Sequence, residues 1–153
     1  MRASEETACR EAVHSFCTAM NEWERIYSTI QRISDGQFVS QKDRNSVAGT
    51  TREGHLQEHA RVFAQHVVPR DRKYGANPGE PKSWSAKGSF FDVSGQPIGS
   101  VEFRDDAHAE LVTDWGYMLP GGQTMFVLKR SDGRWLIDSL KTRRRGEWET
   151  ADL

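Results

Sequence analysis

The sequence lacks most of the features that would assign it at once to a specialised class of protein. It has two cysteines among 153 residues, and 21 basic against 22 acidic residues leave a formal net charge of −1. This composition fits neither a disulfide scaffold nor a uniformly basic nucleic-acid binder. The chain has no apolar run of membrane-spanning length, and its charged N-terminal segment predicts neither a secretory signal nor a membrane anchor. We therefore expect a cytoplasmic protein with reduced cysteines.

The chain is long enough for one domain with its own core. A domain of this length buries roughly two-thirds of its unfolded surface without disulfides or metals. Hydrophobic residues make up 36% of the sequence. Because no repeat, low-complexity tract or linker divides the chain, we predict a single domain over residues 1–153.

The N-terminal half has the apolar spacing of helices. Ser4 is the predicted N-cap of a first helix, which ends near Gly36. Between them, apolar residues recur at steps of three and four: Val13, Phe16, Met20, Trp23, Tyr27 and Ile30. Cys9 and Cys17 fall on this helix about 12 Å apart, which is too far for a disulfide.

A second helix is predicted before Pro69. Its apolar stripe consists of Leu56, Ala60, Phe63 and Val67. Residues 35–54, which connect the two helices, have no sustained period. Because structureless loops of that length are uncommon in compact domains, we expect either a short helix or an interface loop there.

From Trp84 onward the apolar period changes from 3.6 to 2. Five strand-like segments are separated by turns rich in glycine, aspartate and proline. In the segment Ala107–Met118 the odd-numbered residues form the predicted inward face. The last two strands are apolar on both faces, as expected for a sheet that is covered on both sides or strongly curved. Helices followed by an antiparallel meander indicate the α+β class.

The C-terminal hairpin resembles that of a known superfamily. Its last strand, from Gly133 to Asp138, reads Gly-Arg-Trp-Leu-Ile-Asp, a pattern similar to the last hairpin of nuclear-transport-factor-2-like proteins. The resemblance implies a cone in which N-terminal helices pack on a curved antiparallel sheet. This superfamily includes cyclases, dehydratases, isomerases and binding proteins, so the fold leaves the function open.

More of the chain is similar to one branch, the bacterial immunity proteins with this fold. The similar positions are Phe16, Met20, Asn21, Trp23 and Glu24 in the first helix, Arg70, Arg72, Tyr74 and Pro78 after the second, and the sheet from Thr113 to Trp135. This family has no shared catalytic set. The resemblance therefore implies a protein without enzymatic activity or cofactor, which binds a cognate antibacterial toxin and blocks its active site or substrate access.

One motif suggests a metal. His55-Leu56-Gln57-Glu58-His59 fits the H-x-x-E-H pattern of inverted zinc peptidases, with the histidines as ligands and Glu58 as base. Those enzymes need a third ligand from another element and are far larger. We therefore predict no metal site, a solvated His55 and a half-buried His59.

A small cone-fold isomerase, dehydratase or cyclase that acts on an apolar ligand is the alternative function. Its base would be a carboxylate or imidazole desolvated inside the cone. The predicted inward face of the strand at Ala107–Met118 supplies no such group. Asp138 with Tyr117 is then the candidate proton-transfer pair.

Charge is unevenly distributed despite the neutral total. Carboxylates concentrate between residues 102 and 114, and basic residues concentrate at 141–145. Such runs are usually solvated surface, but an acidic cluster also suits a basic toxin. Trp148 is the one stacking aromatic beside the basic run, which argues against nucleic acid. The predicted partner-binding residues are Glu102, Asp105, Asp106, Glu110, Asp114 and Trp148; a homodimer stays open as an alternative.

Overall fold

The fold is described by a computed structural model for residues 2–72, 77–81, 99–114 and 122–151. In these ranges three helices precede five strands: α1 Arg2–Ser34, α2 Gln41–Ser46, α3 Arg52–His66, β1 Ser100–Phe103, β2 His108–Thr113, β3 Gln123–Ser131, β4 Arg134–Arg143 and β5 Glu149–Ala151. The predicted α+β class is confirmed. The predicted strand from Trp84 and the turn at Ser94–Pro97 lie outside the described residues.

The first helix, α1, is continuous over 33 residues. The predicted N-cap is wrong, because α1 begins at Arg2 and Ser4 lies inside its first turn. Contacts with the sheet hold this turn in place: the Glu5 carboxylate accepts a hydrogen bond from Trp135 Nε1 at 2.8 Å and pairs with Arg130 at 3.4 Å. Both cysteines of α1 are buried and free.

The connector between α1 and α3 contains the short helix α2, one of the two predicted outcomes. Two hydroxyl side chains mark where α2 and α3 begin. Ser40 accepts a hydrogen bond from the Asp43 backbone N–H, and Thr51 accepts one from Gly54 N–H. The second cap starts α3 at Arg52, a full turn before the apolar stripe that predicted this helix.

The sheet is an antiparallel meander in the order β1-β2-β3-β4-β5. Its inward rows are fully buried and pack against α1. The register aligns Leu111 with Phe126 and Leu140 across three strands, and Ala109 with Leu128 and Ile137. The predicted inward face is thus confirmed for residues 109, 111 and 113; residues 115 and 117 lie outside the described ranges.

A β-bulge in β4 marks where the chain leaving α3 joins the sheet. Leu128 pairs with Ile137 but Val127 pairs with Ser139, so Asp138 is the extra residue. At this point Val68 N–H donates to the Ile137 carbonyl at 2.8 Å. The residues after α3 therefore lie along the edge of β4, and β5 pairs with the later part of that edge.

Candidate functional site

Four of the predicted partner-binding residues lie together on the β1–β2 hairpin. We call this group, Glu102, Asp105, Asp106 and Glu110, the acidic hairpin. Glu102 and Glu110 are directly paired across the strands, where like charges repel. The Arg104 guanidinium binds both carboxylates, at 2.9 Å to Glu102. These partners, Glu110 first, raise the pKa of Arg104, so Arg104 offsets one of the two charges and fixes both side chains.

The turn of the acidic hairpin is held by Asp105. Its carboxylate accepts a hydrogen bond from Ala107 N–H at 2.7 Å and lies 2.9 Å from His108 Nδ1. These bonds, the backbone one first, lower the pKa of Asp105. The side chains of Glu102 and Asp105 are 68% and 57% exposed, and Asp106 is exposed. The hairpin therefore presents the Glu102, Asp105 and Asp106 side chains to solvent, with Glu102 and Asp105 held in a defined geometry.

The other two predicted residues, Asp114 and Trp148, lie at the opposite end of the sheet. Asp114 is six residues beyond His108, or about 20 Å along a strand. Its carboxylate accepts a hydrogen bond from Gln123 Nε2 at 3.2 Å, and Gln123 Oε1 accepts one from Arg143 Nε at 2.8 Å. The Arg143 guanidinium lies 4.3 Å from the centre of the Trp148 ring. The six predicted residues therefore form two separate groups.

Sequence reasoning missed an aromatic cluster between α1 and α3. Trp23 Nε1–H donates to the His55 carbonyl at 2.8 Å, and His55 Nε2 donates to the Trp23 carbonyl at 2.7 Å. The two rings are stacked with centroids 4.7 Å apart. His55 is 3% exposed, so the prediction of a solvated His55 is wrong. Its spacing of four from His59 places both rings on one helix face, and that signal was available in the sequence.

His59 lies deeper in the same cluster and is fully buried, beyond the predicted half-burial. Its ring stacks on Phe63 at 4.4 Å and meets Trp23 edge to face at 4.9 Å. Gly79 N–H donates to its Nδ1 at 3.0 Å. Burial, and to a lesser extent the nearby His55, lowers the pKa of His59 to about 4, so the imidazole is neutral at physiological pH.

These hydrogen bonds bear on the zinc-like motif. His55 and His59 each commit a ring nitrogen to a backbone group, and the Glu58 carboxylate is held by Arg61. In the part of the chain that the structure describes, no group of three or more His, Cys, Asp or Glu side chains is arranged to hold a metal ion. In the described residues the two histidines of this motif thus pack α3 against Trp23 of α1.

Asp138, the candidate base of the alternative function, is an ion-paired bulge residue. Its carboxylate accepts a hydrogen bond from Arg70 Nε at 3.0 Å, and its backbone carbonyl accepts from both Arg70 and Arg72. The Asp138 side chain is 28% exposed. The Arg70 guanidinium thus occupies one of the carboxylate oxygens that a proton-abstracting base would need free. Its proposed partner Tyr117 lies outside the described residues.

A groove of about 410 Å³ runs between α1 and α3. Trp23, Ile26 and Val62 contribute its apolar lining, and the charged residues beside them include Glu22 and Glu58. Each of these carboxylates pairs with an arginine three residues later in its own helix. The groove is therefore partly apolar, and each of these two carboxylates is ion-paired within its own helix.

The connector presents one large apolar side chain to solvent. Phe38, between α1 and α2, is 84% exposed, and the Phe38 carbonyl is fixed by Arg32 Nη2 at 2.8 Å. Exposed aromatics of this kind are frequent anchors in protein interfaces. Phe38 is a further candidate contact residue that sequence reasoning did not single out.

Charged residues occur along the whole sequence of α1, between the apolar residues of its buried face. Among the described residues, no helix is both long enough and apolar enough to cross a bilayer.

Comparison of the chain with protein-family models, with curated proteins and with solved structures found no match.

Proposed function

We propose that this protein is a cytoplasmic immunity protein with a nuclear-transport-factor-2-like cone, which binds a basic antibacterial toxin domain and blocks its active site or its access to substrate. The observation that carries the proposal is the acidic hairpin. Glu102, Asp105 and Asp106 are exposed. Arg104 fixes the Glu102 and Glu110 side chains, and the turn at Asp105 holds its own carboxylate in place. A toxin surface rich in lysine and arginine is the complementary partner.

The charge of the acidic hairpin is large for so small a surface. Its four carboxylates and the single guanidinium of Arg104 leave three negative charges when His108 is neutral. Charge complementarity raises association rates by roughly 10- to 1,000-fold at low salt. Because Arg104 and the Asp105 turn already order the hairpin, the hairpin itself loses less conformational entropy when a partner binds. Fast, selective capture is what a protein that neutralises a toxin requires.

Packing in the described part of the chain supports the proposed cone. α1 covers one face of the sheet, where the inward rows are buried. The bulge at Asp138 adds local bend and twist to β4. The residues after α3 extend the sheet beside β4 through Val67 and Val68. Helices on one face of a bent antiparallel sheet are the arrangement that the cone requires.

Co-expression tests this proposal. The partner to use is the product of the gene directly upstream, where toxin and immunity genes are expected to be adjacent. The test variant is Glu102→Lys with Asp106→Lys, which leaves the Asp105 turn intact. The matched control is Asp35→Lys with Asp71→Lys, two exposed carboxylates outside the hairpin and the same change in net charge.

We expect the wild type and the control to rescue cells from the upstream product, and the hairpin variant to fail. Equal rescue by the two variants would contradict the role of the acidic hairpin. Failure of the wild type to bind the upstream product, with the toxicity of that product established, would contradict the immunity function itself.

A further inference from the structure

The chain that follows α3 is fixed first to the sheet and then to α3 again. At residues 67–72 it lies along β4, where Arg72 donates to the carbonyls of Val68 and Asp138. At residues 77–81, which we call the return segment, Gly79 N–H donates to His59 Nδ1. Arg72 N–H, in turn, donates to Asn77 Oδ1 at 3.2 Å. The return segment is therefore attached to α3 through an imidazole.

The return segment is a tight turn that aims its Gly79 N–H at α3. Glu80 N–H donates to the Asn77 carbonyl at 2.9 Å and closes the turn. Gly79 has a φ of +73°, which side chains rarely adopt. A Cβ added there would lie 3.5 Å from the Leu56 carbonyl and 3.6 Å from Ala60 Cβ. These are ordinary van der Waals distances, so the positive φ of the turn, and not a lack of space, is what requires glycine at residue 79.

This hydrogen bond requires a neutral His59. Nδ1 accepts the Gly79 N–H, so the imidazole hydrogen must be on Nε2. A second proton would occupy Nδ1. The Nδ1–H and the Gly79 N–H, both donors, would then face and repel each other. The charged ring would also be buried between Phe63 and Trp23, where desolvation is costly.

The surroundings of His59 offer little compensation for that charge. α1 contributes the Trp23 ring, α3 contributes Phe63 and the titratable His55, and the return segment contributes the Gly79 N–H. Once protonated, His55 would also repel a charged His59. The carboxylate on α3 nearest in sequence, Glu58, is held by Arg61, and Glu80 on the return segment is exposed.

We propose that protonation of His59 releases the return segment from α3 while the helices and the sheet stay folded. Residues 77–81 then act as an acid-sensitive latch, and its opening uncovers the side of α3 that carries Leu56 and Ala60. The fall in the pKa of His59 to about 4 sets the range in which the latch opens. This inference concerns a motion of the chain itself and does not depend on the proposed toxin partner.

An NMR titration of the full chain from pH 7 to pH 3 tests the latch. The ring resonances of His59, the amide resonance of Gly79 and the amides of Leu128 and Ile137 are followed together. A short unstructured peptide that contains one histidine is titrated under the same conditions as the reference. In the variant His59→Asn, the side-chain oxygen takes the place of Nδ1 as acceptor but does not titrate.

We expect the pKa of His59 to lie well below that of the histidine in the reference peptide. The Gly79 amide should move with His59, and its protection from exchange should fall at least tenfold while the two sheet amides stay protected. In His59→Asn, Gly79 should not respond. The latch is overturned if Gly79 stays fixed while His59 titrates, if Gly79 and the sheet amides lose protection together, or if the Asn variant shows the same transition. The wild-type titration decides the first two outcomes even if the variant does not fold.

Discussion

Replacing Trp23 by alanine should be among the most damaging single changes in the chain. Its side chain is 2% exposed, and its indole stacks on His55 and, at 5.0 Å, on Tyr27. Truncation of a buried tryptophan to alanine costs about 3–5 kcal/mol, because contacts are lost and a cavity remains. The hydrogen bond to the His55 carbonyl falls within that range at about 1 kcal/mol.

Trp148 provides the matched control for the same substitution. It lies half-buried in the turn before β5, and its described ring contact is the Arg143 guanidinium. A cation–π contact of this type contributes about 1 kcal/mol. Trp148→Ala should therefore cost about 3 kcal/mol less than Trp23→Ala.

Urea unfolding followed by far-UV circular dichroism measures both losses without relying on tryptophan fluorescence. With a slope of about 2 kcal/mol per molar urea, Trp23→Ala should lower the midpoint by about 2 M and Trp148→Ala by about 0.5 M. Equal shifts for the two variants would refute the reasoning, because they would mean that the α1–α3 cluster contributes no more than a surface turn.

Three further predictions follow from buried groups and one close contact. Folding lowers the pKa of His59 from 6.5 to about 4. As the pH falls, the histidine is therefore protonated first in the unfolded chain, which is stabilised relative to the folded protein. The free energy of unfolding should be highest above pH 6.5 and should fall by up to about 3 kcal/mol towards pH 4. Urea unfolding at both pH values should show this loss, and His59→Asn should reduce it; an undiminished loss in the variant would assign it to other groups. Burial raises the pKa of Cys9 to about 11 and that of Cys17 to about 12, so a disulfide reagent at pH 8 should label them only after unfolding, and rapid labelling of the native protein would contradict this. At Gly99 an added Cβ would lie 1.5 Å from the Val112 carbonyl, so Gly99→Ala should displace β1 and cost about 1–3 kcal/mol in urea unfolding; an unchanged midpoint would contradict the close approach.

Local periodicity was enough to predict the elements that bury one continuous face. The α1 stripe and the alternation at residues 109, 111 and 113 depend only on the geometry of a helix and of a strand. Both are readable without knowledge of what packs against them. For the same reason the α+β class followed from the order of the patterns.

The missed features depend on contacts between distant parts of the chain. β5 has three residues, Glu149–Ala151, and pairs through its backbone with β4, so it has no apolar pattern to detect. The spacing of His55 from His59 indicated a shared helix face, but the burial of His55 itself depends on Trp23, which is 32 residues away. The first turn of α1 likewise depends on contacts between Glu5 and the sheet.

Sequence reasoning identified residues of the candidate site but not their arrangement, because the arrangement also depends on contacts between distant residues. Composition identified the carboxylates from Glu102 to Asp114. It did not show how far apart these carboxylates lie in the folded chain. An extended strand separates the turn at Asp105 from Asp114, so they belong to opposite ends of the sheet. The pairing of Glu102 with Glu110, and the role of Arg104 between them, required the strand register.

The most direct test of the proposed function is the association rate constant of the purified protein with the purified toxin domain encoded upstream, measured across ionic strength. Recognition through the acidic hairpin predicts a wild-type rate that falls steeply as salt rises. It also predicts a rate about tenfold lower for Glu102→Lys with Asp106→Lys at low salt, while Asp35→Lys with Asp71→Lys stays close to wild type. Equal rates for the two variants, or no complex with the wild type, would contradict the proposal.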